Sequence, residues 1–180
     1  MKQKWLVVVI SSLVIMLALP CVNRVAAADL SDEEAQWLVY MREEEKLARD
    51  VYEFLYGLWG SRIFNNIRQS EQTHMDAVKT LLDRYGVSDP AEGKGLGEFT
   101  NPEFRELYVD LTQLGSLSVV GALNVGVFIE ETDIKDLTDA LLVTTHKDIR
   151  TVYGNLLDGS LNHLKAFTSN LSKYGVTFEP

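Results

Sequence analysis

The stretch SDEEAQWLVYMREEEKLARDVYEFLYG, residues 31–57, decides the fold. Ser31 followed three residues later by Glu34 is a capping box, the signature of a helix start. From there Trp37, Met41, Ala48, Tyr52 and Leu55 recur at spacings of three, four or seven, which lays them on one face of a helix that the sequence ends at Gly57. The stripe has a gap at position 45, and Glu45 fills it, so the periodicity aims a carboxylate at the interior. Glutamate is costly to bury without a partner. Glu43 and Glu44 lie out of phase with the stripe and are expected to face solvent.

Outward from this helix the same period recurs three times. Ser61 is placed to cap a second helix of about 24 residues, with Ile63, Ile67, Val78, Leu81 and Tyr85 inside and Gly86 where a left-handed residue closes a helix. Residues 86–116 are Gly-rich, carry Pro90 and have no period, but Asn101-Pro102 opens a short helix ending near Gly115. Val120, Leu123, Val127, Ile134, Leu137 and Leu141 trace a third long helix, and Ile149, Val152, Leu156, Phe167, Leu171 and Tyr174 a fourth. No segment reads as a strand. Short turn, long connection, short turn predicts an all-α chain: a ferritin-like four-helix bundle whose crossover between the second and third long helices carries a short extra helix. At ~1.5 Å per residue the second helix is about 36 Å long, and the crossover is ample to run back along it.

Each later stripe repeats the anomaly of the first. Between Ile67 and Val78 the inward positions are Glu71 and His74, one turn apart; Glu130 lies between Val127 and Ile134, with Asp133 three residues on; His163 lies between Leu156 and Phe167. All fall near the middle of their helices, so an up-down bundle brings them to one depth. Taken singly, each has a plain reading: a lone Glu-x-x-His is common by chance, His163 suits a core histidine bonded to a carbonyl, and Asp133 could cap a local break. The third histidine, His146, sits in the Thr144-Thr145-His146 turn and reads as a surface residue. The joint register is what chance does not supply. Four carboxylates and two imidazoles with no Lys or Arg on the same stripes repel one another unless cations sit among them. Oxygen and imidazole donors without thiolate suit iron or manganese, with zinc acceptable, and disfavour copper(I) or an iron–sulfur cluster.

Composition bounds the remaining choices. The 180 residues are 46% apolar with 4 Pro and 12 Gly, enough for one well-packed domain. A formal charge of −9 argues against nucleic acid as a partner. Lys2 and Lys4 precede an apolar run from Trp5 to Pro20, followed by Val25-Ala26-Ala27-Ala28, so residues 1–28 are expected to be an export signal and 29–180 the domain. The run is shorter than the ~20 residues of a stable membrane span. Cys21 is the chain's single cysteine, and Pro20 before it fits a lipidation site poorly. Without residues 1–28 the chain keeps 14 basic residues against 26 acidic ones, has no thiol, and attracts cations. A periplasmic or extracellular location is expected.

Tyr40-Met41-Arg42-Glu43-Glu44-Glu45-Lys46-Leu47-Ala48-Arg49-Asp50-Val51-Tyr52, Ser70-Glu71-Gln72-Thr73-His74-Met75-Asp76-Ala77-Val78, Ile129-Glu130-Glu131-Thr132-Asp133-Ile134 and Gly159-Ser160-Leu161-Asn162-His163-Leu164 resemble the domain of unknown function 2202 family, of the ferritin-like superfamily, over essentially Leu30 to Pro180. More distantly the chain is similar to rubrerythrin and bacterioferritin, in which a first-helix Glu is followed seven residues later by Tyr, as Glu45 and Tyr52 are here. That resemblance implies a di-iron centre with Glu45 and Glu130 as single glutamates and Glu71 with His74 as the first Glu-x-x-His. Ser160 stands where the second such motif has its glutamate, leaving His163, and Asp133 is the candidate to replace the lost carboxylate. Rubrerythrin's Cys-x-x-Cys module is missing, so oxygen or peroxide chemistry would draw on an external reductant, with Tyr52 as donor of a hydrogen bond or an electron. Two functions lead at this point, a redox enzyme of peroxidase or ferroxidase type and a non-catalytic metal-sequestering or structural bundle; a partner-binding helical module with a vestigial polar core is a third, weaker alternative. A homo-oligomer is compatible with each.

Overall fold

The capping box at Ser31 forms as the sequence predicts: the Ser31 hydroxyl accepts from the Glu34 amide while the Glu34 carboxylate takes the Ser31 amide, each at 3.1 Å. The structure, a computed structural model, describes residues 30–177; the export signal expected over residues 1–28 lies outside them. Five helices follow in order: α1 (Asp32–Trp59), α2 (Arg62–Tyr85), α3 (Pro102–Gly115), α4 (Val119–Val143) and α5 (Lys147–Ser172), with no strand among the described residues. Helix α1 runs past Gly57, because Gly60 at φ 60° supplies the left-handed turn that closes it. Gly86, at φ 68°, closes α2. Ser61 stands at the α2 N-cap, but its side chain makes no capping bond. The Asn101 side chain accepts the Glu103 amide at 2.9 Å and starts α3. Tyr174 lies beyond the end of α5 and is exposed, so the fourth stripe stops at Leu171.

Side-chain packing fixes how these helices run. One apolar cluster gathers Val51, Tyr52, Phe64, Leu123, Ile129 and Phe167; another gathers Leu38, Met41, Leu82, Leu137, Ile149 and Leu156. Helices α1 and α5 pass from the second cluster to the first along the chain, and α2 and α4 pass the other way. Helix α1 packs on α2 and α4, and α5 on α4 and α2, so each long helix lies antiparallel to both its neighbours. The segment after α2 returns to the first cluster before α4 begins, and its helix α3 packs on α1 and α4. Between the two clusters the four long helices contribute Glu45, Glu71, His74, Glu130, Asp133, Ser160 and His163, all buried. Among the described residues, no helix is long and apolar enough to cross a membrane.

The charged run of α1 departs from the sequence expectation. Glu43 and Glu44 are buried, 2% and 5% exposed, rather than solvated. The reason is the returning segment, which lies over that face of α1. Glu43 accepts the amides of Thr100 and Asn101 at 2.5 and 3.0 Å. Arg42 makes a bidentate pair with Asp89 and donates to the Met75 carbonyl at 2.8 Å. Lys46 reaches Asp50 and the Gly95 carbonyl, and the Gly97 amide closes on Asp50. His146 also departs from the surface reading: it is the N-cap residue of α5, and its Nδ1 lies 2.8 Å from Glu34 Oε1.

Candidate metal centre

Helix phase and bundle depth bring two groups of three donors together. Glu45 of α1 meets Glu71 and His74 of α2, and the same Glu71 meets Glu130 of α4 and His163 of α5; within each group one donor atom per residue lies within 4.8 Å of the others. Glu71 is the shared member. Its Oε2 lies 2.7 Å from His74 Nδ1 and its Oε1 lies 2.9 Å from His163 Nδ1. Each histidine then faces a second carboxylate, His74 with Glu45 at 3.2 Å and His163 with Glu130 at 3.4 Å. The imidazole rings stack with centroids 5.6 Å apart. The arrangement is a near-symmetric pair of Glu/His positions joined by one carboxylate.

Several donor atoms in this layer have no hydrogen-bond partner: Glu45 Oε1, Glu71 Oε1, Asp133 Oδ1 and His163 Nδ1. Oε1 of Glu71 and Nδ1 of His163 are close yet not aligned for a hydrogen bond, so charge rather than a directed bond attracts them. Buried polar atoms are nearly always bonded in folded proteins, and lone pairs converging on shared space are what a cation requires. Carboxylate and imidazole donors fit a transition metal of the iron or manganese kind. The donor set is therefore one that could hold a metal ion.

Where no cation is bound, protons can balance the charge of this layer. Burial opposes charge on His74, but hydrogen bonds and attraction from Glu45 and Glu71 overcome it and raise its pKa to about 11. Against the same burial, the nearby Glu130 and Glu71 carboxylates raise His163 to about 10. Burial likewise opposes charge on Glu71, yet its two imidazolium partners hold it down at about 2. Carboxyls less favourably placed go the other way. Burial and then the Glu71 charge push Glu130 up to about 8. Burial, with the Glu71 charge adding to it against the Ser160 hydrogen bond, pushes Asp133 up to about 7. Burial and the Asp133 charge drive Glu45 well above the carboxylate range.

Asp133 stands outside both three-donor groups. One of its oxygens is hydrogen-bonded to Ser160 Oγ, whose other neighbour is the Leu156 carbonyl at 2.9 Å, and the other oxygen is unpartnered. The α4 helix is unbroken around it, so Asp133 is not a cap at a helix break. The serine that departs from the Glu-x-x-His pattern is thus the residue that holds the neighbouring aspartate. Tyr52 Oη donates to Glu130 Oε1 at 2.6 Å, and burial together with the Glu130 charge keeps its proton in place.

Three supporting residues escaped the sequence reading. Ser70 Oγ lies 3.0 Å from His163 Nε2. A Cβ at Gly159 would come within 2.7 Å of the His74 ring, and one at Gly126 within 2.4 Å of the Phe167 ring, which packs on Tyr52. Glycine inside a helix was the available signal, since it costs ~1 kcal/mol against alanine unless close packing needs it. Ser70 gave none, being an ordinary polar residue beside an acidic one.

The fold and the buried donors define an all-helical protein with carboxylate and histidine groups able to hold a metal ion. The chain belongs to the family described as "Uncharacterized protein domain (DUF2202)", which matches residues 34–180. Among curated proteins it is similar to the uncharacterized protein MJ0754 of Methanocaldococcus jannaschii, 51% identical over 151 residues that cover 84% of this chain and 82% of that protein. Among solved structures it is similar to the crystal structure of hypothetical protein MJ0754 from Methanococcus jannaschii DSM 2661. That likeness has a TM-score of 0.83 at 50% identity, covering 85% of this chain and 87% of the other.

Proposed function

We propose that this protein is an exported ferritin-like four-helix bundle whose central layer holds two divalent transition-metal ions, iron first and manganese as the alternative, and reduces oxygen or peroxide there. The observation that carries the reading is the shared Glu71, one oxygen turned to each histidine, with a further glutamate on each side. Glu45, Glu71 and His74 would hold one ion and Glu71, Glu130 and His163 the other, with Asp133 the reserve carboxylate. A ferrous pair would supply two electrons, so that one peroxide and two protons leave as two waters and both irons become ferric.

The protein's own groups prepare that chemistry. Tyr52 fixes Glu130 by donating to Oε1 and leaves Oε2 facing His163. Ser70 engages Nε2 of His163, so that Nδ1 is the nitrogen aimed at the carboxylates. The apolar clusters above and below the layer exclude water from it. Turnover requires a reductant from outside, since the sequence has no second cysteine. The serine at 160 favours a second reading, sequestration without turnover, because it leaves the centre one carboxylate short of the rubrerythrin pattern.

Metal analysis of protein purified from its native compartment without chelators tests the binding. Two iron or manganese ions per chain are expected, and a protein that takes up neither under anaerobic titration overturns the reading. Peroxide consumption by the iron-loaded form, with a supplied electron donor, separates the enzyme from the sequestering protein.

A further inference from the structure

Of the buried charges on α1, Arg42, Glu43, Lys46 and Asp50 hold the returning segment and Glu45 faces the centre, but Glu44 does neither. Its Oε2 is buried without a hydrogen-bond partner. It lines a small cavity of about 30 Å³ with Tyr40, Phe128 and Thr132, room for a single water-sized occupant. Tyr40 is also a wall of a surface groove of about 450 Å³ shared with Glu33, Gln36, Trp37 and Asp136. The Tyr40 hydroxyl donates to Asp136 at 3.0 Å, and the Asp136 charge is close enough to act on Glu44. Inward of Glu44, its charged neighbours are Asp133 and Glu45, each with a buried, unpartnered oxygen of its own. A succession of orphaned carboxylates is expensive to maintain in a helical core. This one runs from an acidic groove, past one tyrosine, to the candidate centre.

We infer that Glu44 is a loading ligand for divalent cations, taking them from the Asp136 groove through the Tyr40 cavity and passing them by Asp133 to the Glu45/His74 side of the centre. The inference rests on the metal-centre reading above. Oxygen donors alone select hard ions such as Mn(II) and Fe(II) over soft ones. The competing entrance is the α2–α5 edge, where His74 and His163 are each 9% exposed, and an ion arriving there never meets Glu44.

Mn(II) is the probe, followed by loss of its free-ion electron paramagnetic resonance signal after rapid mixing with the metal-free protein. Glu44→Gln keeps the shape and removes the charge, and it should slow loading about tenfold, the scale on which local charge sets association rates, while the centre itself still fills completely. Tyr40→Phe frees the gate from Asp136 and should alter the rate without altering the endpoint. Anomalous diffraction from Mn(II)-soaked crystals should show an ion beside Glu44 in the wild type and in Glu71→Gln, but none there in Glu44→Gln. Wild-type loading rates in Glu44→Gln with a filled centre overturn the loading role alone. A wild type that takes up Mn(II) at no position overturns this inference and the metal-centre reading together.

Discussion

Glu71 serves two states whose demands differ. Without metal it is the carboxylate held ionised between two imidazolium rings, and with metal it would bridge two ions. The sequence alone supports an expectation that Gln at 71 relieves repulsion and leaves the ion-free protein unharmed. The structure reverses that sign. Removing one partner of a buried ion pair strands the other, so Glu71→Gln should destabilise the ion-free protein by about 3 kcal/mol and also abolish most of the metal-dependent gain. Urea unfolding with and without Mn(II) checks both halves; an ion-free variant as stable as the wild type would show that the imidazoles are neutral. Gly159→Ala addresses the same site by packing. The added methyl meets the His74 ring, so metal affinity should fall about 10- to 100-fold, as for other lost supports of a ligand, while helix content is kept. An unchanged titration would mean that the ring has room to turn.

At the scale of elements, α1 is a helix with two buried faces. Its apolar stripe and Glu45 face α2 and α4, while Arg42, Glu43, Lys46 and Asp50 bind the segment that returns from α2 to α4. The acidic run therefore acts as a set of backbone anchors, with Glu43 holding the two amides at the entry to α3. Glu43→Ala should cost about 2 kcal/mol, the scale for a buried charged hydrogen bond, rather than the 0.5 kcal/mol or so of a surface change. Chemical denaturation measures it, and a loss below 0.5 kcal/mol would return Glu43 to the solvated face. Native-state hydrogen exchange should show the Thr100 and Asn101 amides losing protection first in that variant.

For the whole molecule, the central layer ties stability to pH and to metal. His74 and His163 titrate at about 11 and about 10 in the folded state against 6.5 unfolded. Their contribution is complete below pH 6.5 and is lost as pH rises through 10 to 11. Glu130 and Asp133, raised to about 8 and about 7 from 4.5 and 3.8, also bind protons more tightly when folded, so they too lose their contribution as pH rises through those values. Glu71 acts in the opposite sense, contributing above 4.5 and failing only as pH falls through about 2. The ion-free protein should therefore weaken steadily from about pH 5 to pH 9. Metal displaces the same protons, so its stabilisation, about 2.7 kcal/mol at a hundredfold excess over Kd, should grow across that range. Thermal melts with chelator and with Mn(II) should diverge as pH rises, and parallel curves would separate the ion from this layer.

The sequence by itself determined the helices, their order and the inward residues of the layer, because helical period and turn chemistry are local: a gap in an apolar stripe, filled by Glu45, Glu71, His74, Glu130 or His163, is visible without a partner helix. What each buried charge touches is not local, and only the tertiary structure decided it. Glu43 and Glu44 read as solvated because a helix has an outside only until another segment covers it, and here the returning segment covers that face. His146 read as a surface turn because Glu34, which binds it, lies on α1, far away in the chain. The placing of Glu71 between two histidines and the hold of Ser160 on Asp133 likewise depend on rotations and depths of packed helices that a periodicity fixes only to within a turn.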